Sequence, residues 1–468
     1  MELENKATAL WSNFLNVKMV QIRTFHMTWF AFFACFFAWF GIAPLMSVVR
    51  DELALTHEQV GWAIIGSVSM TIFARLFIGW LVDRIGPRKS YTWLLILGSL
   101  PVMGIGLAHS FETFLLFRVL IGGIGASFVI TQYHTSVMFA PNVVGQANAT
   151  SAGWGNLGGG VTQFVMPLLF SVFVLGFGFS EALGWRLSMV VVGVIIFLIG
   201  IAYFFLTQDA PDGNFDDLRA QGRMPEKKQV TGAYWTAMRD PRVWVLFVIY
   251  GACFGIELTV NNVAALYFVD YFDLSLVAAG FVAASFGLMN IFARTLGGLF
   301  GDNFGALWGL RGRSFWLFIC ILFEGIALMI FSQMQVLFLA LPALIVFSLF
   351  TQMSEGATYS VVPFINKKAL GAVAGVVGAG GNAGAVLAGF LFKGAMDWNE
   401  AFLILGIVVT AASVLAFFVR FSTRQEDEER AAFAVANIDT LRKRAERANA
   451  ELQVALDIIE TRRGATTA

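Results

Sequence analysis

The chain has 468 residues, 58% of them hydrophobic and only 13% charged, and its mean hydropathy is +0.73. An ordinary soluble domain is about half apolar and a quarter charged, so that class is excluded. Acidic and basic residues balance at 31 each, and a formal net charge of zero leaves no basic excess to recruit a nucleic acid.

Apolar runs of ~20 residues, enough to cross ~30 Å of hydrocarbon, recur along most of the chain. Residues 1–24 are polar and mixed, so no cleavable signal is expected there; the run from about Phe25 to Met46 is long enough to span. The predicted spans are 25–48, 58–82, 89–109, 112–138, 146–174, 184–207, 241–269, 275–301, 314–333, 335–359, 369–393 and 399–420. The expected fold is therefore an all-α integral membrane protein in the lipid bilayer. It has an N-terminal segment (1–24), a six-helix half (25–207), a hydrophilic linker (208–240), a second six-helix half (241–421) and a charged helical tail (422–468). In the tail, Ile438, Leu441, Ala445, Ala448, Leu452, Ala455 and Ile459 alternate steps of three and four. That is a heptad-like seam, weakened by its alanines, and it predicts a solvated or membrane-surface helix ahead of self-association or a cytoplasmic partner.

Basic residues set the orientation. Arg84, Arg88, Lys89, Arg219, Arg223, Lys227, Lys228, Arg239, Arg242, Arg311, Arg313, Lys367 and Lys368 fall on the side of the termini. The other side holds Arg50 and Lys393, with Arg118 and Arg186 at helix margins. Both termini and the linker are expected in the cytoplasm, with the helices in the plasma (inner) membrane. Cys35, Cys253 and Cys320 lie in apolar runs and read as buried, quiet thiols.

Two elements repeat between the halves. "IFARLFIGWLVDRIG" from Ile72 and "IFARTLGGLFGDNFG" from Ile291 agree at seven of fifteen positions, including Arg75 and Arg294. Both fall on the second helix of their half, which predicts a parallel repeat about an axis along the membrane normal, as in the major facilitator superfamily. The first copy runs into "GWLVDRIGPRK", a loop motif with Asp83 and Arg84 that can cap or bridge helix ends; the second keeps Asp302 but has Asn303 for the arginine. Arg118 in "RVLIGGIGA" resembles a further superfamily motif, with Ile121 where glutamine is usual. The second element is glycine-rich: "GWGNLGGG" and "GAGGNAGAV" share Gly-Asn-x-Gly, at Gly155 and Asn156 and at Gly381 and Asn382. Small residues let membrane helices approach closely, and a buried asparagine amide needs another helix or a ligand. Gly153, Gly155 and Gly158 also fit G-x-G-x-x-G, with Glu181 beyond, but that fingerprint requires a soluble strand–helix unit and dinucleotide binding is set aside.

These segments, together with "FHMTWFAFFACFFAWFGIAPLM", "FGIELTVNN" and "VVPFINKKALGAVAGVVGAGGNAGAV", resemble the nitrate/nitrite porter family of the major facilitator superfamily. The last of them are especially similar to its assimilatory and plant high-affinity branch, which is associated with proton-coupled uptake. The resemblance implies alternating access and a nitrate or nitrite ion held between two arginines. It also implies that Phe36, Phe128, Tyr250 and Phe254 flank the anion.

The chemistry agrees with that reading. A midplane arginine costs ~2.5–3.5 kcal/mol on insertion scales. Two at symmetric positions, without nearby acids in their own helices, suggest a shared small anion, and the planar guanidinium fork suits a planar oxyanion. The alternative is that each arginine ties helices together through a carboxylate or carbonyl. Inside-negative voltage opposes anion entry by ~2.3 kcal/mol per 100 mV, so import must be coupled. Glu257, three residues past Phe254, is the first candidate proton carrier and His134 the second. Nitrate/proton symport is expected, with nitrate/nitrite exchange or a non-transporting sensor as alternatives. No cofactor, metal or enzymatic activity is expected.

Overall fold

The computed structural model describes residues 5–139, 144–223, 233–366, 370–394, 396–428, 430, 449 and 453. Every residue of the tail's heptad-like seam lies outside them, as do Lys227, Lys228, Lys367 and Lys368. Twelve segments among the described residues are helical, long and apolar enough to cross a membrane. They are α1 Val20–Glu52, α2 His57–Val82, α3 Pro87–Leu107, α4 Phe111–Met138, α5 Thr150–Gly176, α6 Glu181–Leu206, α7 Pro241–Phe272, α8 Leu276–Gly305, α9 Leu310–Ser332, α10 Leu337–Phe364, α11 Ala372–Gly389 and α12 Trp398–Phe418. Each predicted span has its counterpart.

The ends of the spans are set by local chemistry. Helix α1 starts at Val20 because its polar entry is satisfied: Arg23 Nε donates to the Leu206 carbonyl at 2.8 Å and His26 Nε2 meets the Phe14 carbonyl at 2.7 Å. Thr56 and Gln59 form a capping box at the start of α2, and Ser180 caps α6. Gly86, between α2 and α3, has φ +85°, and Gly309, between α8 and α9, has φ +70°. These equivalent turns of the two halves both need the left-handed region that glycine reaches without strain.

Residues 5–19, polar in sequence, are anchored all the same. The Ala7 amide donates to the Met138 carbonyl at 3.0 Å, and Ala7 and Leu10 pack with Phe25 and Phe139. In the linker, the Asp209 carboxylate accepts the amides of Arg88 (2.9 Å) and Phe215 (3.0 Å), although burial pushes its carboxyl above the usual range.

The outer face of α2 is lipid-compatible, with Phe73, Leu76, Phe77 and Trp80 exposed. Close approaches run through glycines. The Gly160 and Gly287 backbones meet where α5 crosses α8, and a β-carbon at Gly255 of α7 would stand 2.9 Å from the Gly381 carbonyl oxygen of α11.

The ion pairs that join the two halves lie at the end away from the termini: Arg50–Asp270 at 2.6 Å and Lys393–Glu58 at 3.4 Å. Arg118 adds a buried crossing. The sequence suggested a helix margin on that side, but the guanidinium is fully buried. Its Nη2 donates to Asn262 Oδ1 at 2.8 Å and its Nη1 to the Trp39 carbonyl at 3.3 Å. At the opposite end the described ion pairs stay within one half or reach the linker or tail, as in Arg313–Asp302 and Arg311–Glu426. The halves are thus clamped together at one end of the bundle.

Candidate anion-binding site

Arg75 on α2 and Arg294 on α8 converge on one aromatic ring. The guanidinium carbons lie 5.8 Å and 5.9 Å from the centroid of Phe254 on α7, which puts them no more than about 12 Å apart. Arg75 also lies 5.5 Å from the Phe128 ring of α4. These are cation–π distances, and the low-dielectric surroundings strengthen them. Arg75 spends one bond on structure, Nη1 to the Gly378 carbonyl at 3.3 Å, while its Nε has no partner among the described residues.

Arg294 is held differently, by an acid from another helix. Its Nη2 donates to the Tyr250 hydroxyl at 2.9 Å, and its Nη1 lies 2.6 Å from Oε2 of Glu355 on α10. The latter is a charge contact rather than an aligned hydrogen bond, so Nη1 has no hydrogen-bond acceptor among the described residues. Glu355 is fully buried. An acid 61 positions further along, on a different helix, was invisible to a search within the arginine's own helix. Its signal was the one that found the arginines: an ionisable residue inside an apolar run.

Tyr250 stacks on Phe254 at 5.2 Å, and Tyr359, one turn beyond Glu355, meets the Tyr250 ring at 5.1 Å. Neither Tyr359 nor Glu355 was among the sequence candidates. Phe36 does not itself stack on Phe128 among the described ring contacts. It is buried against Phe32, Trp39 and Phe40, and Phe32 is the ring that approaches Phe128, at 5.8 Å. Phe32 is also the symmetry mate of Phe254, because a β-carbon at Gly155 would collide with the Phe32 ring, as one at Gly381 would with Phe254. In each half, the glycine beside the repeated asparagine makes room for an aromatic ring of the first helix.

Asn156 and Asn382 are buried. The Asn156 side-chain oxygen and both amide atoms of Asn382 have no protein partner among the described residues, so they retain capacity for a ligand. Glu257 accepts from Asn290 Nδ2 at 2.7 Å through Oε1, and its Oε2 is unpartnered. The buried ring of His134 is engaged on both sides. Nε2 meets the Gln208 carbonyl at 2.8 Å and must donate, and Nδ1 meets the Tyr203 hydroxyl at 2.6 Å. That arrangement ties the ring into a structural network. Asp302 pairs with Arg313 at 2.5 Å beneath α10, and Arg84 is exposed, stacked 4.3 Å from the Trp80 ring; Asp83 occupies the last turn of the helix that continues α2 to Ile85.

Twelve crossing helices in two like halves, with a matched arginine in each, define a major facilitator protein. The profile described as the Major Facilitator Superfamily matches residues 28–363 and 265–456. The solved structure of a bacterial homolog of the human lysosomal transporter Spinster, inward-facing and unoccupied, superposes with a TM-score of 0.68 at 16% identity, covering 88% of this chain and 99% of that one. Among sequence relatives, the high affinity nitrate transporter 2.5 of Arabidopsis thaliana is 38% identical over 423 residues, 90% of this chain and 84% of its own length. The nitrate/nitrite transporter NrtP of Nostoc punctiforme is 30% identical over 467 residues, 85% of this chain and 92% of its own. The chain belongs to the nitrate/nitrite porter family of the major facilitator superfamily.

Proposed function

We propose that the chain carries nitrate, with nitrite as a second substrate, across the plasma (inner) membrane by alternating access, as a nitrate/proton symporter with both termini in the cytoplasm. One observation carries the anion reading: two arginines from equivalent positions of the halves share the Phe254 ring and keep N–H donors outside any hydrogen bond. Guanidinium N–H groups in a plane match the oxygens of a planar anion, and lysine would offer only a point charge. The Asn382 Nδ2 amide, which has no acceptor among the described residues, suits a remaining oxygen. The names of the relatives favour nitrate over other small anions. Proton coupling is favoured over exchange by the buried carboxyl groups of Glu257 and Glu355 around Arg294, since both have oxygens that lack a donor.

The test is nitrate uptake into proteoliposomes containing the purified protein. An imposed inward proton gradient should accelerate uptake without internal nitrite. A strict requirement for internal nitrite would establish exchange instead, and nitrate binding without flux would identify a sensor.

A further inference from the structure

Glu355 stands directly against Arg294. Its carboxylate oxygen is 2.6 Å from Nη1, the nitrogen that makes no hydrogen bond, and neither of its own oxygens has an aligned donor. The charge contact therefore holds the acid at the arginine without using up the arginine's directed donors. An incoming anion needs those donors and carries the same charge as the carboxylate.

The surroundings limit what Glu355 can do when an anion arrives. Facing it are Arg294 on α8, Glu257, Tyr250 and Cys253 on α7, Glu324 on α9 and Tyr359 on its own helix. Arg294 is the cation among these. Glu257 faces Glu355 across the same site. It already accepts from Asn290 through Oε1, so contact through its other oxygen is attractive only with a proton between the two carboxyl groups. Glu324, fully buried, lies against Thr351 and Ser354, whose hydroxyls donate to the carbonyls of Phe347 and Phe350. Gln352, one turn before Glu355, is fully buried with both amide atoms unpartnered, a further polar group able to meet a carboxyl that leaves Arg294.

Resting on the reading of this site as a nitrate site, we infer that Glu355 and nitrate compete for Arg294, and that a proton bound at Glu355 is what admits the substrate. Without nitrate, the Glu355 carboxylate neutralises Arg294. When nitrate binds, Glu355 takes one proton from solution onto a carboxylate oxygen and gives up the contact, and the Arg294 N–H groups turn to the nitrate oxygens. One negative charge replaces another beside the arginines, whatever the state of Glu257, and no other bond is made or broken. Nitrate and one proton thus bind as a unit, which is the thermodynamic content of symport.

The test uses the full-length protein in detergent. Nitrate titrations by calorimetry, in buffers of different ionisation enthalpy across the neutral pH range, give the protons taken up per nitrate. In the wild type the expected uptake approaches one proton at the alkaline end, where nitrate affinity falls about tenfold per pH unit. Glu355→Gln should bind nitrate with no proton uptake and a flat pH profile. If Glu355→Gln does not fold, the wild type and Glu355→Asp decide by infrared difference spectroscopy. Nitrate should raise a protonated-carboxyl C=O band in the wild type, and the aspartate should shift it. Full proton uptake in Glu355→Gln, or a carboxyl band indifferent to Glu355→Asp, overturns the inference and leaves the nitrate site standing. Wild-type nitrate binding without proton uptake overturns both the inference and symport. No wild-type nitrate binding overturns the nitrate reading itself.

Discussion

Removing the Asn262 side chain should open the clamped end of the molecule. Arg118 is fully buried, its bond to Asn262 Oδ1 is 2.8 Å, its other acceptor is the Trp39 carbonyl at 3.3 Å, and its Nε has none among the described residues. Ser67 also donates to Asn262, at 3.3 Å. In Asn262→Ala the guanidinium keeps one long contact while the halves stay together, but it would reach water if they part at this end. A hydrogen bond to a charged group contributes about 1.5–3 kcal/mol. A loss of ~2 kcal/mol changes the ratio of closed to open populations at this end ~30-fold. The assay is double electron–electron resonance between spin labels at Ala54 and Asp397, exposed positions of the two halves at that end. Asn262→Ala should move amplitude from the short to the long distance. An unchanged distribution in a folded variant would refute the claim that the Arg118–Asn262 bond holds the end shut.

Gly155→Leu and Gly381→Leu should each block nitrate transport, because the new side chain meets the Phe32 or Phe254 ring, and overpacking of this kind costs about 1–3 kcal/mol; normal turnover in either variant would count against the ring-pocket account. Asn156→Ala should weaken nitrate binding by up to about tenfold, with thermal stability nearly unchanged, if its amide serves the anion rather than the fold; a matched loss of stability would assign it to packing. Asp209→Ala leaves the Arg88 and Phe215 amides without their acceptor, about 1–3 kcal/mol for each buried one, and should speed limited proteolysis in the linker.

The twelve crossings were legible because each is a long apolar run, and the duplication because Arg75 and Arg294 sit in matching words of sequence. The same logic reached only part of the site. Phe36 and Phe32 are separated by one turn of a phenylalanine-rich stretch, so periodicity alone could not tell which faces Gly155. Glu355 and Tyr359 lie on α10, whose counterpart in the first half carries no matching acid, and a search by repeat passed over them. Charge cost was the usable signal: Glu257, Glu324 and Glu355 all interrupt apolar helices, and only the first was singled out. The Arg118–Asn262 bond joins residues 144 positions apart on different halves, and no local pattern announces it. Segment ends moved for a similar reason, since Arg23 and His26 look like a boundary until their carbonyl partners are known.

The central claim is that both arginines hold the same nitrate ion through directed N–H bonds. Equilibrium nitrate binding to purified wild type, Arg75→Lys and Arg294→Lys tests it most directly. Each substitution keeps a positive charge but loses the fork, and the loss of one charge-assisted hydrogen bond, about 1.5–3 kcal/mol, weakens binding ~10- to 150-fold. The account predicts a loss of that size in both variants. Wild-type affinity in either one would contradict a site built on the pair.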